Sequence, residues 1–199
     1  MGISQANRFL ESSMKDIRKI FFKGKTPMSG FGLEIVSKIH IMKDVKVNAE
    51  QWVRQNKKGI MQNGVSVTSG LLQIRDSNAI KFAILHEMGH LLTMQFTKTF
   101  KLKLSMVQLE VIADLSSVFL MKRTGVSWNQ IERAVRGWKN AHIFDSQWSG
   151  AHPPGSDRTK IIKRFIKLSK SGISFQKAVK KIMKATNQYK NGSRLPRLP

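Results

Sequence analysis

Residues 86–90 read His86-Glu87-Met88-Gly89-His90 within a stretch from Ala79 to Leu92 that is otherwise apolar except for Lys81. On a helix, positions i and i+4 lie one turn apart on one face, so the two imidazoles can be presented to a single cation. Glu87 adjoins the first of them and can reach a metal-bound water. This is the H-E-x-x-H spacing of hydrolytic zinc sites, in which the metal acidifies a water and the glutamate takes its proton.

Two histidines leave such an ion short of ligands, because a catalytic zinc takes three protein ligands and keeps one position open. Glu110 is the expected third ligand. It stands in Leu109-Glu110-Val111-Ile112-Ala113-Asp114, within a segment that is otherwise almost uncharged, and a buried carboxylate needs a partner. Asp114 lies one turn further on the same face. It is placed to accept the remaining ring N–H of a ligand histidine and so fix its tautomer.

Several elements must position these residues. A basic amphipathic helix is predicted over 3–23, with Ile3, Phe9 or Leu10, Met14, Ile17, Ile20 and Phe21 near helical spacing. A Gly/Pro/Ser-containing linker spans 24–32. A short helix is expected over 33–42, then strands at Val45–Val47, around Gln51–Arg54 and at Val65–Thr68, forming a small antiparallel sheet. Ser77 is expected to cap the motif helix, which runs to about Phe96. Ser105 with Gln108, and Ser127 with Gln130, are capping-box pairs that open two more helices. The first should end near Gly125. The second carries Ile131, Ala134, Val135 and Trp138 on one face. A loop is expected over 143–156, a helix from Ser156 to about Lys170, and a last helix capped by Ser174, ahead of a polar tail after Asn187. The fold class is therefore α+β and mainly helical. The chain divides into a basic helix and linker at 1–32, a central domain at 33–170 and a basic helix and tail at 171–199.

The chain has 199 residues, 41% of them hydrophobic, enough for one core. It contains no cysteine, which excludes disulfides, a thiol nucleophile and cysteine-held zinc. No apolar run approaches the roughly 20 residues needed to span a bilayer, and charged residues interrupt the first twenty positions where a signal peptide would be apolar. These features predict a cytoplasmic protein. Lys and Arg number 35 against 12 Asp and Glu, a formal charge of +23. Such a charge predicts attraction to polyanions. It is uneven: from Arg158 to Pro199 there are 13 Lys or Arg and no acidic residue. This end is the expected contact for nucleic acid or another polyanion, in a nucleoid or virion for instance. The N-terminal helix could also rest on an anionic membrane surface.

Taken in order, Thr68-Ser69-Gly70-Leu71-Leu72, the H-E-M-G-H segment, E-V-I-A-D at 110–114, and Ala151-His152-Pro153-Pro154 followed by Arg158 resemble the HtpX-like and CAAX-prenyl-protease gluzincins, and in particular their soluble minigluzincin members. The resemblance covers about residues 40–170. The membrane helices typical of that family are missing, and only 19 residues separate His90 from Glu110. A second group, the ImmA/IrrE repressor-cleaving peptidases, shares H-E-x-G-H and a later acidic motif, but the T-S-G-L-L and H-P-P segments favour the first. The resemblance implies a zincin-like fold and a zinc-dependent endopeptidase. Zinc would be held by His86, His90 and Glu110, with Glu87 as general base and Asp114 behind the ligands. It also implies that the strand at Val65–Thr68 forms the edge of the cleft and pairs with an extended protein or peptide substrate, and that His152 and Arg158 lie beside that cleft. His152 could then stabilise the oxyanion or serve as a further, regulatory zinc ligand. The alternative, from a different class, is a highly basic nucleic-acid-associated protein that uses the fold as a scaffold.

Overall fold

A computed structural model describes residues 1–21, 34–36, 38–100, 104–140 and 155–186. The elements run α1 (Ile3–Phe21), β1 (Glu34–Ile35), β2 (His40–Met42), β3 (Ala49–Gln55), β4 (Met61–Thr68), α2 (Ser69–Leu72), α3 (Ser77–Phe100), α4 (Met106–Arg123), α5 (Trp128–Asn140), α6 (Gly155–Lys170) and α7 (Phe175–Thr186). The class is α+β, with helix predominating. No helix among the described residues is long and apolar enough to cross a membrane.

The sheet corrects the sequence reading. It was expected to be antiparallel, but β1 and β2 both pair parallel with β4, and only β3 runs antiparallel to it. The chain reverses once after β2 and again after β3, so β4 returns in the direction of β2. The β3–β4 reversal is a tight turn. Asn56 Oδ1 accepts from the backbone N–H of Lys58 and Ile60, and Gly59 takes a φ of 76° that disfavours a side chain. The predicted helix over 33–42 is instead the site of β1 and β2, in keeping with the β-branched Ile35, Val36, Ile39 and Ile41. The predicted strand at Val45–Val47 is a connection that crosses from one edge of β4 to the other. Its alternation is a property of exposed side chains, with Val45 86% and Val47 41% accessible.

Thr68 anchors that crossing. Its hydroxyl donates to the carbonyl of Lys46 at 2.6 Å and accepts from the backbone N–H of Asn48 and Leu71. Gly70 lies so close beneath that a Cβ there would stand 2.1 Å from the Val45 carbonyl oxygen. The T-S-G-L-L segment thus closes the end of β4 and turns the chain toward α3. Asp76, not Ser77, caps α3: its carboxylate accepts from the N–H groups of Asn78 and Ala79.

α4 is the central helix. It packs against α3, α5, α6 and α7 and is buried on nearly every side from Gln108 to Met121. The capping box at Ser105 and Gln108 forms as expected, and the pair at Ser127 and Gln130 repeats it at α5. Trp138 on α5 donates its indole N–H to the Ala79 carbonyl at 2.8 Å and meets Phe82 edge-on, which fixes α5 against the start of α3. α1 joins the same core through Ala6, Leu10 and Met14, while Ile3 is left exposed. α7 joins it through Phe175, Ala178, Val179, Ile182 and Met183. The linker at 24–32, most of the loop predicted over 143–156, His152 and the tail after Asn187 lie outside the described residues.

Candidate metal centre

The site forms where α3 and α4 touch most closely. Gly89 sits between the two histidines of the motif, and its missing side chain lets the helix backbones meet: a Cβ there would lie 2.7 Å from Ala113 Cα and 2.8 Å from Ala113 O. Ala113 in turn lies between Glu110 and Asp114. The close approach therefore brings the carboxylates of α4 under the imidazoles of α3. Gly89 was not singled out in the sequence, although a glycine inside a helical pattern is the signal that could have shown it.

Gly89→Ala tests this contact. Alanine normally favours a helix over glycine by about 1 kcal/mol. Here the clash is with backbone, which cannot swing aside, and the expected net result is a destabilisation of about 1–3 kcal/mol. Denaturant unfolding measures it. A variant as stable as the wild type would show that the two helices part without cost.

The ligand atoms converge. His86 Nε2 and His90 Nε2 are 3.1 Å apart, and each lies 3.3 Å from one oxygen of Glu110, His86 from Oε2 and His90 from Oε1. Bonds of about 2.0–2.1 Å to a tetrahedral ion require donor separations of roughly 3.3–3.4 Å. Donors already stand close to that spacing, and the buried group His86, His90 and Glu110 can hold a metal ion. Both residues from the motif and the carboxylate expected from α4 are thus brought together.

Behind the ligands lies a second layer. His86 Nδ1 is 2.9 Å from Asp114 Oδ1, so the ring donates there and turns Nε2 toward Glu110 and His90. Asp114 is gripped in turn by Arg158 from α6, whose Nε and terminal nitrogen donate to its two oxygens at 2.8 and 2.7 Å. Phe82, one turn before His86, stacks along the same ring. Arg158 was expected beside the cleft. The structure places its guanidinium 5% exposed, on the side of His86 away from the ligand nitrogen. It is a positioning residue: its terminal nitrogen is 3.4 Å from His86 Nδ1 as well as bonded to Asp114, and it does not reach the ligand nitrogen Nε2. Glu87 is half-buried on α3, next to His86.

The electrostatics follow from burial. Burial disfavours a charged His86, but the hydrogen bonds to Asp114 and Glu110 outweigh it and raise its pKa to about 9. His90 is pushed down to about 4, by burial and by the neighbouring His86 charge. Desolvation would raise the Asp114 pKa, yet the Arg158 guanidinium holds it below the ordinary carboxylate range. A cation held by His86, His90 and Glu110 would lie beside the Glu110 carboxylate and take the place of the proton that His86 otherwise binds.

No protein-family model, characterised protein or solved structure matches this chain.

Proposed function

We propose that this chain is a zinc-dependent endopeptidase, with zinc held by His86, His90 and Glu110. The observation that carries the reading is the buried His–His–Glu group with a further carboxylate, Glu87, beside it and outside the ligand set. A purely structural zinc site closes all four positions with protein ligands, whereas three ligands plus a nearby base is the catalytic arrangement. The resemblance to the HtpX-like gluzincins supports the same reading. Its described motifs fall on the end of β4 and α2, on α3 and on α4, with Arg158 on α6, and Asp114 and Arg158 both act on the ligand face through His86.

His86, His90 and Glu110 would hold the zinc, which would supply Lewis acidity toward a carbonyl and a water. Glu87 takes the proton from the attacking water and delivers it to the leaving amine. Asp114 and Arg158 hold His86 in one tautomer throughout. Protein chains are the favoured substrate because an extended strand edge lies at hand, though not the one expected from the sequence. β4 is paired on both sides, by β3 along one and by β1 and β2 along the other, so it cannot accept a further strand. The outer edge of β3 pairs with no strand among the described residues, and β3 packs against α3. Exposed Val53, Ile60 and Met61 line this hairpin. An extended peptide would pair there.

Metal content tests the assignment first. Protein purified without added metal, or loaded with zinc and desalted, is expected to hold about one zinc per chain, and His86→Ala is expected to hold none. Absence of bound metal from the zinc-loaded wild type would overturn the reading.

A further inference from the structure

Part of the excess positive charge is organised into rows of exposed lysines on two helices that touch, α6 and α7. On α6, Lys163 and Lys167 stand on the exposed face, flanked by Lys160 and Lys170, at intervals of about 4.5–6 Å along the axis. Of these, Lys160 is paired with Asp157 and Lys170 with Glu132. On α7, Lys177, Lys180, Lys181 and Lys184 repeat the spacing, all exposed. Lys163, Lys167 and these four have no ion-pair partner among the described residues. α6 and α7 pack on each other and both on α4, so their outer faces look away from the same central helix. Core formation required polar residues at these positions but not six unpaired cations of one sign.

We propose that the outer face of α6 and α7 binds the phosphate backbone of double-stranded nucleic acid. A row of fixed cations at intervals of a few ångströms matches a partner whose charges are themselves regularly repeated. An anionic membrane fits less well. A helix lying on lipid buries apolar side chains among the acyl groups, but the apolar side of α7 (Phe175, Ala178, Val179, Ile182 and Met183) is spent in the core. The exposed positions between the lysines offer nothing to insert. The contact proposed is with phosphates, which position the partner and carry no sequence information of their own.

The test is the salt dependence of binding to a 20-base-pair DNA duplex, followed by fluorescence anisotropy of the full chain. Lys163, Lys167, Lys180 and Lys184 are replaced together by Gln. A control with the same loss of charge replaces the exposed Lys38, Lys43, Lys57 and Lys58 by Gln. The first variant is expected to show a log–log salt slope about 3–4 units shallower than wild type, and the control a slope within about one unit of it. Circular dichroism confirms that both remain folded. Equal losses in the two variants would mean diffuse attraction by net charge and would overturn the proposal, as would an unchanged slope in the first. Binding of the wild type to phosphatidylserine vesicles but not to the duplex would transfer the surface to a membrane. A chelator is expected to leave the slope unchanged, so failure here and failure of the metal site are read separately.

Discussion

Glu87→Gln is expected to leave about one zinc per chain and to lower peptide hydrolysis by roughly 100- to 10,000-fold, the range associated with a positioned general base. Glu87 is not one of the three converging donors, so exchanging a carboxylate oxygen for an amide leaves the ligand group intact. The amide is nearly the same size and can still hydrogen-bond, but it cannot take a proton from water. The informative measurement is therefore a pair: metal content by elemental analysis, and cleavage of an unstructured protein substrate. Retained zinc with lost cleavage supports the assignment. Retained zinc with wild-type cleavage would remove Glu87 from the chemistry, and lost zinc would show that it serves the metal and not the water. His86→Ala gives the complementary pattern, in which metal and activity disappear together.

Much of this site is legible in the sequence alone, because its chemistry is local. The i, i+4 spacing of His86 and His90 fixes their common face whatever surrounds them. Glu110 and Asp114 stood out because two carboxylates in an apolar helix demand partners, and the structure supplies those partners in His86, His90 and Arg158. The helices behaved similarly: the capping pairs at Ser105 and Ser127 are encoded within four residues. The sheet was less legible. Pairing partners lie up to 28 residues apart, as Glu34 and Gln62 do, and period-two alternation does not say which edge is occupied or in which direction. That is why Val45 and Val47 suggested a strand and why β4 was expected to be free on one side. Gly89 is intermediate. Its presence in a helix was visible, but the backbone it meets at Ala113 belongs to another element.

Arg158→Met is expected to cost about 3–5 kcal/mol, because it breaks a buried ion pair and leaves Asp114, 1% exposed, with only the His86 ring as a side-chain partner among the described residues. For a chain of this size that corresponds to a fall in melting temperature of roughly 6–20 °C. A destabilised protein also binds metal poorly for trivial reasons, so the single variant does not separate stability from orientation of the histidine. The double variant Arg158→Met, Asp114→Leu does. With both charges gone no unpaired ion is left in the core, and apolar replacement of a buried pair is commonly neutral or stabilising. Stability is therefore expected to recover most of the way. Metal affinity is not, because the Nδ1–H of His86 has lost the acceptor that held its ring, and loss of such a partner typically weakens binding by 10- to 100-fold. Thermal unfolding and a competitive zinc titration on the three proteins measure the two effects side by side. If the double variant regained wild-type affinity together with its stability, Asp114 and Arg158 would be a structural ion pair that happens to touch the site, and His86 would be oriented by its own helix and by Phe82.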